Sequence, residues 1–319
     1  MTERNVLVVD WSANSKPKTG ADSIWIGDAY GNRVNPSTRV EAIEFLKRLI
    51  SSEGNEKKKW LIAFDFSFGV PCWGGQEDQV GLSFWETVRN RFPDVDQECF
   101  DLNNKAAEGR WAVANDLNRD VFEKKMFWGC PKDREGGLDD LSSKKGDREE
   151  IEEKRKTDEK IAGAKSPWQL LGNGSVGSQM LMGICHLQRW IVEGRGEISV
   201  WPFEESHKRI VFAETFPSHP NFVDLIEKIH TRCCGLVKDA VQVTAVARSL
   251  QEVLDDSETQ LFDLSDLSKP DKELASIEGK ILPSKNTRSA CDKSDDQIDE
   301  LILGQNQDKW TNPLKSLSK

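Results

Sequence analysis

Three short apolar runs in this chain each end in an acid. Val6-Leu7-Val8-Val9 runs into Asp10, Trp60-Leu61-Ile62-Ala63-Phe64 into Asp65, and the stretch from Arg209 to Ala213 into Glu214. A run of four or five apolar residues without alternation suits a strand buried on both faces, as in a parallel or mixed sheet covered by helices. In such open sheets ligands bind beyond the carboxyl ends of the strands. Three carboxylates are therefore expected along one edge of the sheet. A fourth, Asp239, lies in the first turn of a helix expected from about Leu236 to Leu254, in line with Val243, Val246 and Leu250 on its apolar face.

A carboxylate on an apolar face is costly unless it is paired, protonated or bound to a cation. Several together repel one another, and a divalent ion relieves the repulsion. Oxygen-only ligands favour Mg²⁺ or Mn²⁺ over Zn²⁺. Two such ions can activate water and stabilise the leaving oxygen in phosphodiester hydrolysis. Asp10, Asp65, Glu214 and Asp239 are thus the candidate metal-binding and catalytic residues. Each also has an ordinary reading: a turn former after a strand, a salt-bridge partner for Glu214, a charge favoured by the helix dipole for Asp239.

The rest of the chain reads as α/β. Ser23 to Gly27 suits a second strand. Thr38 with Glu41 looks like a helix start, followed by Ile43, Leu46, Leu49 and Ile50 at helical spacing. Leu82–Phe92 and Trp111–Phe127 have helical character, a helix after Gly177 carries Met180, Leu181, Ile184, Leu187 and Ile191, and Ile198–Phe203 suits a strand. Lys132–Lys165 is dominated by charge and reads as an exposed helical insertion, with insertion bounds of about 94–165. The ordered domain is expected over 1–284, with a flexible polar tail over 285–319 whose Ile298, Leu301 and Ile302 suggest one short amphipathic helix.

Composition narrows the function classes. The 319 residues are 37% apolar and 31% charged with a formal charge of -10, which argues against a protein that coats nucleic acid nonspecifically. No apolar run approaches the ~18 residues of a membrane helix. The N-terminus lacks the regions of a signal peptide, so a cytoplasmic protein with reduced cysteines is expected.

The chain resembles the domain of unknown function 429 family, predicted nucleases of the ribonuclease H-like superfold. The segments that carry the resemblance are Val9-Asp10-Trp11-Ser12-Ala13 with Asp22-Ser23-Ile24-Trp25, Phe64-Asp65-Phe66-Ser67-Phe68-Gly69, Phe127-Trp128-Gly129-Cys130-Pro131, Trp168-Gln169-Leu170 through Gly174-Ser175-Val176-Gly177-Ser178-Gln179, Trp201-Pro202-Phe203-Glu204, Glu214-Thr215-Phe216-Pro217-Ser218, Lys238-Asp239-Ala240, and Ile277-Glu278-Gly279-Lys280-Ile281-Leu282. The resemblance implies a ribonuclease H-like mixed sheet flanked by helices, and places Asp10, Asp65, Glu214 and Asp239 at the family's presumed metal-binding positions. The charged stretch before Ser166 departs from the pattern.

Other signals compete. Ser12, Lys16 and Lys18 follow the first strand and could contact a substrate phosphate, in a hydrolase or in an actin-like ATP-binding phosphotransferase. Gly172-Asn173-Gly174-Ser175-Val176-Gly177 fits a dinucleotide fingerprint, yet lacks a convincing strand before it; Gly174 and Ser175 could instead hold a phosphate at the following helix. Trp11 and Trp73 could stack a base. The expected partner is nucleic acid or a phosphorylated small molecule, and a nucleotide- or nucleic-acid-binding protein without turnover, or an NAD(P)-binding enzyme, remains an alternative.

Overall fold

The computed structural model describes residues 4–72, 80–92, 106–146, 151–172, 175–194, 196–232, 235–265, 267–283 and 298–299. Gly174, Trp73, Leu301 and Ile302 lie outside the described residues, as does most of the expected tail. The strands are β1 Arg4–Asp10, β2 Trp25–Asp28, β3 Arg33–Val34, β4 Lys59–Phe64, β5 Ile198–Val200, β6 Ile210–Thr215 and β7 Ile281–Leu282. They form one mixed sheet in the order β3-β2-β1-β4-β6-β5, with β7 also on β6. β1, β2 and β3 pair antiparallel; β1, β4, β6 and β5 are parallel, and β7 runs parallel to β6.

Alternation along the central strands builds two cores. Leu7, Val9, Ile62, Phe64, Ile210 and Phe212 join one core, shared with α1 (Arg39–Ser51), α2 (Gly81–Arg91), α3 (Ala106–Leu117) and α5 (Gly177–Glu193). Val6, Val8, Leu61, Ala63, Val211 and Ala213 join the other, under α6 (Pro220–Arg232) and α7 (Lys238–Asp256). The start of α1 follows its sequence signal. The Thr38 hydroxyl accepts from the Glu41 N–H at 3.1 Å, while the Glu41 carboxylate reaches back to Ser37 N rather than to Thr38. The helical reading of Trp111–Phe127 breaks after Phe122, where Glu123 takes a left-handed backbone with φ 50°.

The charged insertion is not uniformly exposed. Its last part folds into the short helix α4 (Lys156–Glu159), and Arg155, Thr157, Asp158, Ile161 and Ala164 are buried. The charges hid this because they pair with one another inside the protein. Three further elements, α6, the one-turn α8 (Glu258–Leu261) and α9 (Lys269–Glu278), were not expected from the sequence. In the tail, Ile298 is buried in the core under α7. Among the described residues, no helix is long and apolar enough to cross a membrane.

β2 and α7 meet at Gly27, where an added Cβ would stand 2.7 Å from Val243 Cγ2 and 3.1 Å from the Thr244 nitrogen. Gly27→Ala is expected to cost about 1–3 kcal/mol of folding stability by overpacking, measured by urea denaturation.

Candidate functional site

The parallel register aligns Val9 with Phe64 and Phe64 with Glu214. One residue further on, Asp65 N–H donates to Val9 O at 2.9 Å, so the ladder continues and Asp10 and Asp65 stand side by side. Side chains alternate between faces of a sheet. Asp10 follows Val6 and Val8, and Asp65 follows Leu61 and Ala63, so both carboxylates fall on the α7 face. Thr215 takes the next place in that row, and its buried hydroxyl oxygen has no partner.

Asp10 and Asp65 are only partly exposed. Among the described residues, neither carboxyl group receives a hydrogen bond or an ion pair. Burial pushes the Asp10 carboxyl well above its usual range, reinforced by the charges of Asp65, Asp239 and Asp22. Burial likewise pushes Asp65 up to about 7, with Glu214 and Asp239 adding to it. The pair resists carrying two charges at once.

Asp239, at the N-terminal end of α7, completes this edge. Its Oδ2 accepts from the Asp22 N–H at 2.7 Å, holding Asp22 in a left-handed turn with φ 51°. Asp22 was not anticipated as a site residue. The signal for it was the β1–β2 pairing: Asp10 opposes Trp25, so the residues before Trp25 return beside those after Asp10. Asn14 Nδ2 donates to Asp22 O at 2.9 Å across that turn.

Asp10, Asp22 and Asp239, with Arg110, Ser175 and Leu171, are among the residues lining a cleft of about 540 Å³. Ser12 also lines it, with its hydroxyl accepting from Asn14 Nδ2 at 2.8 Å. Two arginines brace the loop that forms the floor. Arg39, fully buried, donates to Ser12 O and Asn14 O at 2.9 Å each, and Arg110 donates to Ala13 O at 3.0 Å. Gln179 Nε2 donates to Trp11 O at 2.7 Å from α5.

Lys16 and Lys18 are exposed and do not line the cleft, and Lys18 Nζ pairs with Asp22 at 3.4 Å. Trp11 is a core residue, 1% exposed and packed edge-on against Phe64, so it offers no face to a base. The segment before the glycine turn makes only an isolated bridge, Trp128 to Gln169, in place of the strand that a dinucleotide fingerprint needs.

Glu214 is engaged differently from the other acids. It is in phase with Ile210 and Phe212, on the opposite face of the sheet from Asp10 and Asp65. Arg155 donates to both its carboxylate oxygens at 2.6 Å, and Phe68 N–H donates to Oε2 at 2.9 Å. Arg155 also donates to both oxygens of Asp158. A residue with its oxygens so occupied is a structural anchor, which corrects the expectation that all four acids share one ligand set.

Among the described residues, no three His, Cys, Asp or Glu side chains are arranged to hold a metal ion. Two neighbouring carboxylates without protein donors do fit an ion that keeps part of its shell as water or substrate oxygen, as Mg²⁺ commonly does.

No protein-family model, curated protein or solved structure matches the chain.

Two predictions follow from these contacts. Arg155→Met leaves Glu214 and Asp158 buried without their cation and lowers stability by about 3–5 kcal/mol, read by urea denaturation. An Asp with a folded-state pKa near 7 against about 3.9 when unfolded favours folding below about pH 4 and loses that advantage as pH rises to about 7. Asp65→Asn is therefore more stable than the native protein above about pH 7, and the difference shrinks as pH falls toward about 4; denaturation across a pH series checks the sign.

Proposed function

We propose that the protein is a divalent-metal-dependent phosphodiester hydrolase of the ribonuclease H-like superfold. The observation that carries this reading is the Asp10–Asp65 pair: two carboxylates abreast at the carboxyl ends of adjacent parallel strands, without donors among the described residues, with Asp10 lining a cleft. The mixed sheet favours it too, since a mixed sheet flanked by helices is what the resemblance to the domain of unknown function 429 family leads one to expect.

In this reading Asp10 and Asp65 hold Mg²⁺ or Mn²⁺, and the ion when bound supplies charge neutralisation for a phosphate and a lowered pKa for water. The chain's own residues do the rest. Asp239 sits at the end of α7 within electrostatic reach of both acids and fixes the Asp22 turn, closing the acidic side of the cleft. Ser12 and Ser175 offer hydroxyls to a substrate in the cleft. Arg39 holds the loop after Asp10 through Ser12 O and Asn14 O.

Mn²⁺ is expected to raise the melting temperature of the native protein and to support cleavage of a phosphodiester substrate. Asp10→Asn keeps the fold, loses both effects, and is checked by thermal melts and a cleavage assay. Glu214→Gln retains Mn²⁺ affinity, measured by titration calorimetry, because Glu214 belongs to the Arg155 anchor. Cleavage that persists without metal, or in Asp10→Asn, would overturn the proposal.

A further inference from the structure

We infer that the substrate is a small phosphodiester, of about one or two nucleotide units, and that Arg110 grips its phosphate. This inference rests on the hydrolase reading of the same cleft and narrows it. A cleft of about 540 Å³ is the size of a small-molecule site. Its lining carries both signs of charge. Among the described residues lining it are three carboxylates, Asp10, Asp22 and Asp239, and one guanidinium, that of Arg110.

Proteins that hold long nucleic acids neutralise many phosphates with Lys and Arg. Here one arginine lines the cleft, the lysines of the neighbouring turn stand outside it, and Lys18 is tied to Asp22. A strand carrying many phosphates would meet more negative than positive charge in this cleft. A single phosphodiester fits: a cation held by Asp10 and Asp65 would neutralise part of its charge and Arg110 the rest.

Arg110 is built for such a contact. It projects from α3 with its guanidinium carbon 4.3 Å from the centre of the Trp111 ring, and Nη1 donates to Ala13 O at 3.0 Å. The ring and the carbonyl fix its plane, which limits the side-chain entropy lost when it binds. The cleft also offers an apolar contact for the organic part of a ligand: Leu171, 44% exposed, with buried Leu170 beside it.

The test compares thymidylyl-(3′→5′)-thymidine, which has one phosphodiester, with a long oligothymidylate, each with the Mn²⁺-loaded protein over a salt series. The dinucleotide is expected to be the better substrate, with a weak salt dependence, because a single phosphodiester has no condensed counterions to release. Arg110→Ala raises KM for the dinucleotide about tenfold or more, with Mn²⁺ binding unchanged by electron paramagnetic resonance, and Arg110→Lys recovers part of the loss. Preference for the oligothymidylate with a much steeper salt dependence, or dinucleotide kinetics untouched in Arg110→Ala, overturns the inference while the hydrolase reading stands. Failure of the Mn²⁺-loaded protein to cleave either substrate overturns both.

Discussion

The register of β1, β4 and β6 governs most of what this protein can do. Two successive rows cross the sheet at its carboxyl edge. The first, Val9–Phe64–Glu214, faces the α1–α5 core; the second begins Asp10–Asp65 and faces α7. A shift of one residue would exchange the two faces. It would bury the aspartates in the aromatic core and turn Glu214 toward the cleft. The aliphatic filling of both cores holds the register, and through it the acids.

Glu214 shows how the same edge carries two kinds of chemistry. On its face the cation is a guanidinium built into the chain, donating to two carboxylates at once. Glu278 extends this anchor, since its side chain accepts from Cys72 N and Lys156 N and its backbone oxygen accepts from Arg155. The anchor therefore ties the charged insertion, the turn after β4 and the end of α9 to the underside of the site. On the other face, among the described residues, no protein cation pairs with Asp10 or Asp65. A charge supplied by the protein makes a rigid support; a charge left unanswered makes a place for something to bind.

The α/β fold class, the central strands and the helices α1, α2, α5 and α7 were legible in the sequence because apolar runs and helical spacing report burial directly. The three strand-end acids were legible for the same reason. Their division between faces was not, because the runs are apolar at every position and hide the pleat; only the exact register shows that Asp10 and Asp65 are in phase and Glu214 is not. Asp22 and Arg110 were missed because each reaches the cleft through pairings remote in sequence, the β1–β2 hairpin and the packing of α3 beside the Ser12–Asn14 loop. Arg155 was obscured by its neighbours, since a charged segment looks solvated unless its ion pairs can be seen.

Gly27 gives the missing side chain a function of its own. β2 lies against α7 with no atom to spare at that point, and the same helix carries Asp239 at its start. The hydrogen of Gly27 is thus a spacer that sets how low α7 rides on the sheet. The height of α7 in turn sets how far Asp239 stands from Asp10. A methyl group at Gly27 would act as a shim between β2 and α7, altering the cleft without touching any residue that lines it.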